Sequence, residues 1–180
     1  MEKDPDAMLV RACLAGDSTA FDALVQRYSG KLFNAAYRIT HSREDASDAT
    51  QEAFVKAFEK LPTFDFTHRF FSWIYRIALN EALDIAGQRR REVALDDEVP
   101  VPSGDLDREI AEEERRHLLQ LALMKLRPDQ RALVVFRHIQ GMSYADIAEV
   151  LHVPEKTVKS RLFDAREKLR QIMVERRWLS

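Results

Sequence analysis

GMSYADIAEVLHVPEKTVKSRLFDAREKLR, residues 141 to 170, carries two short helical patterns around a tight break. Ser143 is placed to cap a helix whose apolar residues Ile147, Ala148 and Leu151 share one side. His152, Val153 and Pro154 interrupt it, and Pro154 suits the first position of a second helix with Val158, Leu162, Ala165 and Leu169 as its buried stripe. The pattern is a helix-turn-helix. The other face of the second helix offers Lys156, Lys159, Ser160 and Phe163, a set able to meet phosphates, base edges and thymine methyls. DNA is the implied ligand.

The segments before this stretch supply its support. Leu126-Arg127-Pro128 starts a helix with Leu133, Val134, Phe136 and Ile139 on its apolar face, and Gly141 stops it. Ahead of that, a helix beginning at Leu106 or Asp107 turns Ile110, Leu118, Leu121, Ala122 and Met124 inward. The C-terminal part is thus a small helical DNA reader, two helices presenting the helix-turn-helix to a major groove.

Charge agrees with that ligand. The net value of −2 hides a segregation: residues 1–91 carry 13 Lys/Arg against 13 Asp/Glu, residues 92–114 carry 1 against 10, and residues 115–180 carry 14 against 7. A basic C-terminal part is what phosphate neutralisation requires. Five glycines and six prolines in 180 residues, with abundant Ala, Leu, Arg and Glu, predict an all-α chain. No basic-then-apolar leader and no long apolar run is visible, so a soluble cytoplasmic chain is expected. Cys13 stands alone among apolar neighbours, which allows no internal disulfide and predicts core packing. Neither cofactor nor metal is called for.

In the N-terminal half, Asp4-Pro5 opens a first helix with Met8, Leu9, Ala12 and Cys13 on one face, closed by Gly16. Asp17 caps a second, whose stripe is Phe21, Leu24, Val25, Tyr28, Leu32, Ala35, Ala36 and Ile39. Ser42 with Asp45 resembles a capping box for a third, with Ala46, Ala49, Ala53, Phe54, Ala57, Phe58 and Leu61 inward and Pro62 at its end. The outer face of that third helix, with Asp48, Gln51, Glu52, Lys56 and Glu59, reads as a solvated surface or a docking surface. Residues 63–76 hold six aromatics among His68, Arg69 and Arg76. They read either as a small aromatic core or as a platform for unstacked bases. The helix that follows turns Ile74, Ala78, Leu79 and Ala82 inward and leads to Gln88-Arg89-Arg90-Arg91, a dipole complement or a phosphate clamp. From Glu92 to about Asp107, EVALDDEVPVPSGDLD is acidic and aperiodic. It marks a linker, and Asp96, Asp97 and Glu98 lack the spacing of a cation loop.

Taken together, these residues resemble a bacterial sigma factor of the extracytoplasmic-function group, over nearly the whole chain. Asp48-Ala49-Thr50-Gln51-Glu52-Ala53-Phe54 resembles the second conserved region, and the resemblance implies that Asp48, Gln51, Glu52, Phe54 and Lys56 dock on core RNA polymerase. Phe71 to Asn80, FSWIYRIALN, resembles the adjoining segment that captures the non-template strand of the minus-ten element. That implies minus-ten contacts from Phe64, Asp65, Phe66, His68, Arg69, Phe70, Trp73, Arg76, Asn80, Arg89 and Arg90. Leu126 to Gln130, Tyr144 to Ala148 and Thr157 to Leu162 resemble the fourth region. They imply that Glu155, Lys156, Thr157, Lys159, Ser160, Arg161 and Phe163 meet the minus-thirty-five element. The chain departs from the family pattern at His152 and Lys156, where Gly is common, and at Asp164, where a basic residue is frequent.

The implied organisation is two small helical domains, 1–91 and 111–180, joined by an acidic flexible linker, 92–110. The implied partners are core RNA polymerase, promoter DNA and an anti-sigma factor able to hold the chain at the inner membrane, with no small-molecule substrate and no enzymatic step. In this family the linker threads basic polymerase channels, which suits its acidity. A helix-turn-helix regulator acting without polymerase shares the C-terminal residues but leaves the aromatic loop, the Asp48 to Glu52 face and the acidic linker unexplained. A small nucleic-acid enzyme lacks every site it would need: no metal spacing among five histidines, no Gly-rich phosphate loop and no activated Ser or Cys.

Overall fold

The computed structural model describes residues 6–92 and 108–176, and of 90–92 and 108–114 the backbone only. Most of the predicted linker, the helix start at Leu106 or Asp107 and the Asp4-Pro5 opening therefore lie outside the described residues. Four helices form the first module: α1 (Ala7–Leu14), α2 (Ser18–Thr40), α3 (Arg43–Lys60), which runs into a 3-10 turn at Leu61–Thr63, and α4 (Phe70–Glu92). The second holds α5 (Arg108–Lys125), α6 (Pro128–Val134) continuing into a π-helical turn at Val135–Ile139, α7 (Tyr144–Leu151) and α8 (Glu155–Glu175). No strand occurs among the described residues.

Local chemistry fixes the helix ends. The Asp17 carboxylate accepts from the Thr19 amide at 2.9 Å and caps α2, as its sequence predicts. Ser42 caps α3 by accepting from the Asp45 amide at 3.2 Å. The predicted box is only half made, because the Asp45 carboxylate turns instead to the Arg89 guanidinium, 2.8 Å away. Along α3, Ala46, Ala49, Ala53 and Ala57 are fully buried, and side chains this small let α2 and α4 approach closely.

Three inward faces differ from the sequence reading. On α1, Val10 is buried and Met8 is 82% exposed, because Asp6 is drawn into the core by the Arg27 guanidinium and the Tyr28 hydroxyl, which both donate to it. On α5 the buried row is Gln120, Ala122, Leu123 and Leu126, with Leu118, Leu121 and Met124 half-buried. Gln120 turns inward because it exchanges hydrogen bonds with Arg38 of α2, donating to its carbonyl and accepting from its guanidinium at 3.1 Å. The π turn sends the Gln140 amide to the Val135 carbonyl at 2.9 Å, one residue further back than an α-helix would. That extra residue buries Val135, Phe136 and Met142 and leaves Ile139 exposed.

One apolar core runs through both modules. Phe136 faces Tyr75 with ring centroids 5.9 Å apart, and a small apolar cavity at this seam is lined by Leu32, Ala35, Ala36 and Ile39 of α2 with Ala78, Leu79 and Ala82 of α4. Burial pushes the Tyr75 phenol up to about 12. Arg131, buried, donates to the carbonyls of Leu123 (2.8 Å), Met124 (3.0 Å) and Leu126 (3.1 Å) at the end of α5 and to the Ile39 carbonyl near the end of α2. One guanidinium thus satisfies carbonyls that two helix ends leave open.

Candidate nucleic-acid interface

The helix-turn-helix is built as its residues require. Ser143 and Asp146 form a reciprocal capping box at the start of α7: Ser143 Oγ accepts from the Asp146 amide at 3.0 Å, and the Asp146 carboxylate accepts from the Ser143 amide at 3.1 Å. His152 ends α7 in the left-handed region, φ 56° and ψ 45°, and the next amide, of Val153, reaches back to the Ala148 carbonyl at 3.1 Å. A glycine position of the family is thus filled by a histidine in the glycine conformation. Pro154 precedes the helix and α8 starts at Glu155, one residue later than its sequence suggests. Ile147 and Val150 of α7 and Val158, Leu162 and Ala165 of α8 are buried between the helices, while Ala148, Leu151 and Leu169 are partly covered.

The opposite face of α8 is open. Glu155, Lys156, Lys159, Ser160 and Arg161 are exposed, Thr157 is half-buried, and Phe163 is 64% exposed. Lys159 pairs with Glu155 one turn back at 2.7 Å and lies 5.4 Å from the Tyr144 ring centroid. An exposed pair of this kind is worth little and yields readily to a phosphate or base edge. Asp164 is also exposed beside this face.

The aromatic segment divides. Phe64 and Phe70 are core side chains, Phe70 with no exposed surface, packed with Trp73 at 5.3 and 5.7 Å. They shape the loop and do not present a face to DNA. Asp65 accepts from the Thr67 amide at 2.8 Å to make the turn, and Phe66 emerges at its tip with the Arg11 guanidinium 4.2 Å over its ring. His68 and Asn80 are exposed, and Trp73 is half-buried. Arg89 is held by Asp45, and the Arg90 side chain lies outside the described residues.

Arg69 and Arg76 are committed to the second module. Glu149 of α7 accepts from the Arg69 amide at 3.0 Å and from its Nε at 2.8 Å, while Asp146 accepts from the same guanidinium. In return, Arg76 of α4 donates to the Glu149 and Val150 carbonyls, both at 3.1 Å. The two helices cap each other: a carboxylate sits at the start of α4 and a guanidinium at the end of α7, each satisfying open backbone groups and each of the sign the helix dipole favours. Burial pushes the Glu149 and Asp146 carboxyls up, but hydrogen bonds from Arg69, and for Asp146 from Ser143, outweigh it and hold both below the ordinary range.

On α3, Asp48, Gln51 and Glu52 form an exposed row. Phe54 is buried against Phe21, and Lys56 is pinned by Glu81 at 2.7 Å. The row is continued instead by Val55 and Phe58, 52% and 59% exposed, with Phe58 edge-on to Phe21 at 5.0 Å. Phe58 had read as inward, and the spacing from Asp48 and Gln51 was the available signal for both residues. No helix among the described residues is long and apolar enough to cross a membrane.

Two family models match, one per module: Sigma-70 region 2 over residues 24–92 and Sigma-70, region 4 over residues 116–169. The fold and its helix-turn-helix thus define a two-region protein of the Sigma-70 class. The RNA polymerase sigma-H factor of Pseudomonas aeruginosa is 34% identical over 179 residues, covering 93% of each chain. The ECF RNA polymerase sigma factor SigM of Mycobacterium tuberculosis is 38% identical over 170 residues, 93% of this chain and 84% of that one. Among solved structures, CnrH in complex with the cytosolic domain of CnrY superposes with TM-score 0.72 at 29% identity, covering 94% of this chain and 97% of CnrH. The sigma factor RpoE bound to the anti-sigma factor NepR, from Bartonella quintana, gives 0.61 at 25% identity, covering 85% and 96%. The chain belongs to the extracytoplasmic-function sigma factors.

Proposed function

We propose that this chain binds core RNA polymerase and directs it to promoters through two separated contacts, itself making and breaking no covalent bond. The polymerase docks on the outer face of α3, with Asp48, Gln51 and Glu52 as its polar part and Val55 and Phe58 as its apolar part. The minus-ten element is met by the loop and the outer side of α4, with Phe66, His68, Arg69, Trp73, Arg76 and Asn80 as contacts and Asp65, Phe64 and Phe70 shaping the turn. An unstacked base fits this chemistry, since stacking on an aromatic contributes about 1 to 3 kcal/mol per base. The minus-thirty-five element is read by α8 in a major groove, through Lys156, Lys159, Ser160, Arg161 and Phe163. Residues 1–91 and 111–180 are the two working domains, joined by the acidic linker 92–110. The observation that carries the reading is the open α8 face on a helix-turn-helix whose companion module presents a second, separate docking row.

An anti-sigma factor is part of the proposal, because CnrH and RpoE were solved with protein partners. Val55 and Phe58 on one module, and Leu119 and Ile139 on the other, leave apolar surface for such a partner to cover. The cytoplasm is the proposed place of action, with membrane attachment through that partner. The test is to mix the purified chain with core RNA polymerase and a promoter library and measure specific initiation. A chain that bound duplex DNA alone, yet failed to bind core at micromolar concentration, would be a plain helix-turn-helix regulator.

A further inference from the structure

The packed arrangement cannot grip both promoter elements at once. For 180 residues a compact chain has a radius of gyration of about 16 Å, hence a diameter of about 40 Å. Elements at minus ten and minus thirty-five are separated by about 25 base steps, or about 85 Å of duplex at about 3.4 Å per step. The modules must part. Among the contacts that hold them together, Arg69 and Arg76 are proposed promoter contacts, and both are engaged by α7. The α8 face, in contrast, is free.

We infer that the structure is an autoinhibited resting state, closed by reciprocal capping between α4 and α7, with Glu149 as the latch residue. The inference rests on the function proposed above. Glu149 is suited to the role because it is the one α7 side chain that takes both the Arg69 amide and the Arg69 guanidinium. It is also absent from both proposed DNA-contact sets. While it holds, the helix start that should face a strand of DNA faces a carboxylate, an anion standing where a phosphate would. Any partner that needs the minus-ten surface therefore sees its affinity reduced by the fraction of chain that is open.

The test uses the full chain. Glu149→Gln removes the charge with little change of shape, and Glu149→Lys sets a cation against Arg69. Circular dichroism matching the parent establishes folding. X-ray scattering of the chain alone should give a radius of gyration near 16 Å for the parent and an increase of about 3 Å or more for Glu149→Lys, with Glu149→Gln between. Fluorescence titration of each chain with a single-stranded oligonucleotide carrying the non-template minus-ten sequence should show binding at least about threefold tighter for both variants. Unchanged scattering in both variants would overturn the latch, and so would expansion without tighter binding of the strand. A parent chain that never binds core would instead sink the functional reading, while scattering would still report whether the modules are latched.

Discussion

His152 occupies a backbone conformation that costs an L-residue roughly 1 kcal/mol or more and a glycine almost nothing. Its side chain is exposed, so His152→Gly removes the strain with little lost packing. Urea denaturation should show a gain of about 1 kcal/mol for His152→Gly and a loss for His152→Val, whose branched side chain is less tolerant of that region. Asp6 makes the opposite case. Its buried carboxylate satisfies the Tyr28 hydroxyl and the half-exposed Arg27, so Asp6→Ala should cost about 2 kcal/mol by the same measurement. His152 was legible in the sequence as a residue standing in a glycine position. Asp6 was not, since its partners lie 21 and 22 residues away and no local pattern announces them.

Helices whose ends carry their own chemistry were read correctly. Asp17, Ser143 and Pro128 each mark a boundary through interactions a few residues long, and each stands where predicted, although the return bond from Ser143 to the Asp146 carboxylate was not read. Faces chosen by a partner were harder to read. The inward row of α5 follows Gln120 and its bond to α2, and the π turn displaces Ile139 by an insertion that periodicity assumes away. The same division holds in the candidate site. The open face of α8 follows from its stripe, whereas the split of the aromatics into buried Phe64 and Phe70 and emergent Phe66 depends on the loop's path. On α8, Lys159→Ala should weaken binding to a minus-thirty-five duplex. The loss should be about 1 to 3 kcal/mol and sequence-dependent if Lys159 reads a base, and uniform across sequences if it meets a phosphate. On α3, Asp48→Lys with Glu52→Lys should weaken the full chain's binding to core polymerase at least about tenfold and leave duplex binding within about twofold, as fluorescence anisotropy can measure. Equal losses of both would argue against separate surfaces.

The two modules were visible as composition blocks, but their packing was not, because it is made by single residues distant in sequence. Arg69 finds Glu149, Arg76 finds the end of α7, and Arg131 finds Ile39. Acid should loosen this arrangement. Arg69 helps to hold the Glu149 carboxyl below its ordinary value and contributes to the lowering at Asp146, so opening removes that part of the lowering, while the bonds from Ser143 to Asp146 stay within α7. Above pH 5 both are ionised in either state and closure keeps their full contribution. As pH falls through the ordinary values toward the depressed ones, the open form takes up protons first and the balance moves toward it. Scattering between pH 6 and 3.5 should show the parent expanding as pH drops, with a shallower change in Glu149→Gln. Added salt should act on the same contacts, which are partly exposed to screening.

The seam between the modules is not uniform in its chemistry, and that should give its opening an order. Arg69, Arg76, Asp146 and Glu149 are groups that water accepts as soon as they part. Phe136 against Tyr75 is an apolar contact whose exposure water penalises. The polar contacts at the start of α4 should therefore part at lower cost than the apolar ones, baring that start before the modules separate in full.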